Sequence, residues 1–149
     1  MINKKVRWGI IGLGKIAHKF AEDLLLSENA VLEAVASRSE EKANKFKEQF
    51  RAQKAYASYS GLINDPNIDV VYIATPHVFH FELSMQCMEA GKAVLCEKPL
   101  AMNQKEVKSM IECSRKNSVF LLEAMWTRFI PATEKLIELG ATVVTLSDS

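Results

Sequence analysis

Three stretches carry residue types that do chemistry at workable spacings. In GIIGLGKIA the pattern is Gly12-x-Gly14-x-x-Ala17. Gly12 permits a tight turn and Gly14 lets backbone come close to a pyrophosphate. Ala17 lets a helix pack closely on a strand. The N–H groups of the opening helical turn, at Lys15 and Ile16, then face the phosphates. The same spacing also serves a strand-to-helix turn that holds no ligand.

The second stretch is ASRSEEK, at the end of the next strand-like run. A site for the two ribose hydroxyls of NAD needs a carboxylate there, about 20 residues beyond the glycines. Ser37 and Arg38 stand in its place. A carboxylate repels a 2′-phosphate, whereas Ser hydrogen-bonds one and Arg clamps it bidentately. Lys42 adds charge one helical turn on. These residues favour NADP, with NAD the alternative. An arginine serving only as a solvated surface charge is the plainer reading of Arg38.

The third set comprises ATPHVFH and AVLCEKPL, each a strand-like run ending in polar residues. Thr75 and Pro76 would lie where the nicotinamide half of a dinucleotide passes. His80, and with less reason His77, would sit near it or serve a helix first turn structurally. Two histidines three apart without a matching third ligand do not make a metal site. Lys98 at the end of its strand would hydrogen-bond a substrate hydroxyl and stabilise alkoxide charge. A lysine keeping its head in water at a strand end fits the spacing equally well. Glu97 should point the opposite way from Lys98, and it is counted with the cofactor-binding residues. Pro99 fixes φ and is a candidate cis peptide.

These residues need elements to position them. Apolar runs of strand type at 6–12, 31–37, 54–58, 69–76, 93–99 and 119–124 alternate with helical periods. Ile16, Ala17, Phe20, Ala21, Leu24 and Leu25 mark one helix; Ala43, Phe46 and Phe50 mark another, with Ser39 as its cap. Asp65-Pro66-Asn67 reads as a turn. A helix over 78–90 stops at Gly91, and Asn103 with Glu106 resembles a capping box for a helix over 104–116. Pro131 suits the first turn of a last helix ending near Gly140. The alternation predicts an α/β fold, a doubly wound parallel sheet of six main strands, whose ligands bind outside the carboxyl ends of the strands.

Composition agrees with one globular domain. Of 149 residues, 48% are apolar and 25% charged, with a formal charge of +1, which offers neither a nucleic-acid footprint nor a membrane span. Cys87, Cys96 and Cys113 are an odd number at wide spacing in apolar surroundings, so buried reduced thiols and a cytoplasmic location are expected.

Together GIIGLGKIA, VASRSEEKA, YIATPHVFH and CEKPLAMN resemble the glucose-fructose oxidoreductase and inositol dehydrogenase family (GFO/IDH/MocA). The run LLEAMWTRFIPA looks most like its dimeric dihydrodiol dehydrogenase and xylose dehydrogenase branch. The resemblance implies a Rossmann NAD(P)-binding domain over residues 1–140, with Lys98 catalytic and a cis proline in Glu97-Lys98-Pro99. It also implies that Trp126 and Arg128 lie near cofactor and substrate. The substrate class it implies is a sugar, polyol or diol, acted on by hydride transfer. Family members carry a second α/β domain that supplies substrate contacts, a further acid-base residue and the subunit interface. Residues 141–149 read as a strand leading to such a domain, which lies outside this sequence. Apolar surface left by that face predicts a homo-oligomer. A dinucleotide-binding module without turnover is the alternative function.

Overall fold

The computed structural model describes residues 5–139. The elements are β1 (Val6–Ile11), α1 (Lys15–Leu25), β2 (Ala30–Ala36), α2 (Glu40–Phe50), β3 (Lys54–Tyr56) and α3 (Tyr59–Ile63). They continue with β4 (Val70–Ile73), α4 (His80–Glu89), β5 (Ala93–Cys96), α5 (Gln104–Lys116), β6 (Leu121–Glu123) and α6 (Pro131–Glu138). Single 3-10 turns, His77–Phe79 and Trp126–Phe129, precede α4 and α6. The expected strand over 141–149 and the helix end near Gly140 lie outside the described residues.

The six strands form one sheet in the order β3-β2-β1-β4-β5-β6, every pair parallel. The order reverses between β1 and β4, and the crevice beyond their carboxyl ends is where such sheets take ligands. Alternation along each strand feeds two cores. Ile10, Leu32, Val35 and Tyr72 face α1 and α2, against Ala17, Ala21, Phe46 and Phe50. Ile11, Ala36, Ile73 and Cys96 face the other way, against Leu83, Cys87, Met88 and Met110 of α4 and α5.

The helix ends follow their local chemistry. Ser39 Oγ accepts from Lys42 N at 3.4 Å, and Asn103 Oδ1 accepts from Glu106 N at 3.0 Å. Glu106 returns its carboxylate to Met102 N rather than to Asn103, so the box closes one residue early. Gly91 takes φ +75° just beyond α4, and Lys92 N donates to Cys87 O there. The turn at Asp65 is held by Asn67 N donating to Asp65 Oδ1 at 2.9 Å.

Several boundaries differ from expectation by a few residues: β6 starts at Leu121 rather than 119 and α4 at His80 rather than 78, and β3, β4 and β5 end early by more than one residue. β4 ends at Ile73 rather than 76, since Pro76 has no N–H to give a ladder and the Thr75 carbonyl meets a histidine ring. β5 ends at Cys96 rather than 99, with Glu97, Lys98 and Pro99 beyond the strand and the Lys98–Pro99 peptide cis. Residues 57 and 58, read as strand, lead instead into the short α3, where Ser58 Oγ accepts from Gly61 N at 3.2 Å.

Candidate functional site

The carboxyl edge of the sheet collects the residues the sequence singled out. Gly12 has φ +87°, and a Cβ there would lie 2.7 Å from the carbonyl carbon and oxygen of Ala74. The β1–α1 turn therefore needs glycine for its own sake. Gly14 is different. Its backbone is extended, it is exposed, and nothing lies within 4 Å of where its Cβ would stand. No neighbour requires glycine at that position; its place at the helix N-cap gives only a modest preference, whereas a phosphate passing over the backbone needs the space. α1 then begins at Lys15 with no side-chain cap, leaving its first N–H groups open to an anion. Lys15 and Ile16 are both exposed beside the loop. These features fit the pyrophosphate of a dinucleotide.

At the end of β2, Ser37 Oγ accepts from Ser39 N at 3.1 Å. That bond uses a lone pair and leaves the hydroxyl proton to donate. Arg38 is exposed, and among the described residues its guanidinium makes no hydrogen bond or ion pair. It faces the Phe79 ring, 5.9 Å from Cζ to the centroid. Lys42 lies exposed one turn into α2.

Past β4, Pro76 and His77 are exposed. Thr75 is buried, and its Oγ1 has no hydrogen-bond partner among the described residues. His80 is 1% exposed, and its two ring nitrogens sit 2.8 Å from the carbonyl oxygens of Thr75 and Pro99. The imidazole thus ties the end of β4 to the residue after Lys98, and any influence it has on a ligand passes through those two carbonyls.

Lys98 is exposed, and among the described residues no carboxylate pairs with its ammonium. Glu97 points back into the α1 layer, as alternation requires. Its Oε1 accepts from Tyr72 Oη at 2.6 Å and its Oε2 from Lys98 N at 3.2 Å. The Tyr72 ring stacks on Phe20 with centroids 3.9 Å apart. Burial, followed by the Glu97 bond, raises the Tyr72 hydroxyl far above its ordinary pKa, so it stays a donor. Beside Lys98 opens a cavity of about 730 Å³, lined by Pro99, Met102, Glu123, Met125 and Trp126. Glu123 Oε1 accepts from Leu100 N at 2.8 Å, fastening the chain after the cis proline to the end of β6. Trp126 is 63% exposed, in the 3-10 turn that also contains Arg128. The Arg128 side chain lies outside the described set.

Sequence reasoning did not single out Tyr72, Glu123 or Phe79. The signal for Glu123 was available, since it is a carboxylate at the carboxyl end of a strand. Tyr72 was hidden inside an apolar run.

Comparison with known proteins agrees with this geometry. Residues 6–125 match the family described as an oxidoreductase family with an NAD-binding Rossmann fold. Trans-1,2-dihydrobenzene-1,2-diol dehydrogenase from Mus musculus is 47% identical over 136 residues, covering 89% of this chain and 40% of the mouse protein. The Homo sapiens protein of that name is 45% identical over 134 residues, covering 88% and 40%. The chain thus spans about 40% of the length of these curated relatives. Among solved structures, a probable dehydrogenase from Thermotoga maritima superimposes with a TM-score of 0.84 at 37% identity, over 91% of this chain and 41% of its own. A 3-ketoreductase from Actinomadura kijaniata, in complex with TDP-benzene and NADP, gives 0.87 at 27% identity, over 93% and 45%. The family match spans most of the chain, and the chain belongs to the GFO/IDH/MocA oxidoreductase family.

Proposed function

We propose that this chain is the dinucleotide-binding unit, over residues 1–140, of a dehydrogenase that prefers NADP(H) to NAD(H). Its reaction is hydride transfer to or from a carbinol carbon of a sugar, polyol or dihydrodiol. The observation that carries this reading is a row of unspent donors along one sheet edge. They are the uncapped N–H groups of α1, the Arg38 guanidinium and the Lys98 ammonium. The relatives named as dihydrodiol dehydrogenases and the NADP-bound ketoreductase support it.

The nicotinamide, when bound, supplies or accepts the hydride. The first turn of α1 binds the pyrophosphate, and the Ser37 hydroxyl with Arg38 takes the 2′-phosphate. Lys42 adds positive charge to that end. Thr75 and Pro76 border the path of the nicotinamide half, with His80 behind them. Lys98 donates a hydrogen bond to the substrate oxygen and stabilises its negative charge as a carbinol proton leaves, or as a carbonyl is reduced. Trp126 borders the same cavity on the substrate side, and the family resemblance assigns Arg128 to cofactor and substrate as well. Glu97 acts from behind, accepting from the Lys98 backbone. No metal takes part in this scheme, and neither a nucleic acid nor a membrane is a partner. Three buried free thiols suit a reducing cytoplasm. Phe120, Leu122 and Trp126, exposed by 67, 42 and 63%, offer the apolar surface through which copies self-associate.

One observation favours the second reading, a binding module without turnover. Lys98 and Trp126 both stand exposed at an open cavity. Two assays decide between them. Fluorescence titration should show NADPH bound more tightly than NADH, with the preference lost in Arg38→Ala; no binding at millimolar cofactor rejects both readings. NADP reduction is then followed with a panel of aldoses and diols. Turnover that disappears in Lys98→Ala supports the dehydrogenase, and binding without turnover supports the module.

A further inference from the structure

The contact between Arg38 and Phe79 joins two parts of the sheet edge that are remote in sequence. Arg38 follows β2, and Phe79 ends the 3-10 turn after β4, on the other side of β1. The guanidinium lies 5.9 Å from the ring centroid, within the range of a cation–π attraction. That separation is shorter than the roughly 7 Å that two stacking gaps with a purine between them would need. Among the described residues Arg38 has no carboxylate to hold it, and its donors remain available to a ligand. A long side chain left alone would sample many rotamers, and ordering it on binding costs free energy.

We propose that Phe79 is a positioning residue for cofactor selectivity: its ring parks the Arg38 guanidinium beside Ser37, ready for a 2′-phosphate. This rests on the reading of Arg38 as the reader of that phosphate. The ring is 39% exposed, so replacing it leaves the core intact. The effect is confined to ligands that carry the phosphate. An apolar wall for the base, the plainer role for an aromatic there, acts on ligands with and without it.

The test uses the full chain and two ligand fragments that lack nicotinamide, 2′,5′-ADP and 5′-AMP, titrated by calorimetry. Phe79→Leu keeps an apolar side chain but removes the π face, and Phe79→Tyr keeps both. The leucine variant should lower the preference for 2′,5′-ADP over 5′-AMP by roughly 2–5-fold, with 5′-AMP affinity unchanged and tyrosine restoring the preference. A wild-type preference in Phe79→Leu, or equal weakening of both fragments, overturns the proposal while leaving the Arg38 reading intact. If the wild type shows no preference, or Arg38→Ala keeps it, the reading of Arg38 fails and takes the Phe79 role with it. Unchanged circular dichroism and urea midpoint in Phe79→Leu establish that the fold persists.

Discussion

Tyr72 Oη donates to Glu97 Oε1 at 2.6 Å, across the β4–β5 pair and behind the residue that bears the candidate catalytic lysine. Tyr72 pairs in register with Leu95, so Glu97, two residues on, shares its face of the sheet. The carboxylate also accepts from Lys98 N, so a tyrosine that is 1% exposed anchors the start of the turn that presents Lys98.

Tyr72→Phe keeps the ring on Phe20 and removes the donor. The carboxylate then loses its shortest hydrogen bond, at a cost of roughly 1–3 kcal/mol. Urea unfolding should show the loss, with affinity for 2′,5′-ADP unchanged because the site proposed for that fragment lies at the β2 end. A stability equal to wild type would mean the bond contributes nothing net.

The turn before β4 carries an acid-sensitive cluster. Asp65 Oδ2 accepts from Lys54 Nζ at 2.7 Å and Tyr56 Oη at 2.8 Å. Burial alone would raise the Asp65 pKa, but the bonds from Lys54, Asn67 N and Tyr56 outweigh it and hold the carboxyl well below the usual range. A carboxylate depressed on folding stabilises above its unfolded pKa of ~3.9, and that stability drains as pH falls toward the folded value. The wild type should lose stability between about pH 5 and pH 2 more steeply than Asp65→Asn, which itself costs roughly 1–3 kcal/mol at neutral pH. Urea midpoints across that interval measure both slopes, and parallel slopes would refute the assignment.

The thiols give a simpler check. Burial pushes Cys87 and Cys96 each up to about 12, and both are fully inaccessible. Cys113 is 7% exposed. Since the thiolate is the reactive form, Ellman's reagent at pH 8 should leave the native protein unmodified and titrate all three thiols in denaturant. Rapid native labelling would show that α4, β5 or α5 opens easily.

Much of this architecture was legible because adjacent residues part company. Ile10 and Ile11 go to opposite cores, as period-two alternation demands, and α5 runs from Gln104 to Lys116, the span its Asn103 cap announced. α3 was not legible. Its five residues are too few to show a period, and it nests where a Cβ on Gly9 would come 2.9 Å from Leu62 Cδ2. The partners of the site residues were equally hidden. Tyr72 reaches Glu97 over 25 residues and Arg38 reaches Phe79 around β1, contacts that exist only once strand order is set. Spacing places residues at an edge; it does not say which of them touch.

The two loop glycines separate folding from binding. Gly12→Ala places a methyl group 2.7 Å from the Ala74 carbonyl at φ +87°, so backbone must shift and stability should fall by roughly 1–3 kcal/mol or more. Gly14→Ala meets nothing and needs no change of dihedral, and the poorer helix cap that alanine makes costs about 1 kcal/mol or less. Its methyl group would instead occupy space that the proposed pyrophosphate site needs beside the α1 N–H groups. Loss of such charge-assisted bonds weakens NADPH roughly 10–100-fold. Urea unfolding and NADPH titration on both variants give a crossed pattern, with Gly12→Ala unstable and Gly14→Ala stable but binding poorly. If Gly14→Ala binds NADPH as the wild type does, the phosphates do not pass over this loop, and the glycine there would need another cause.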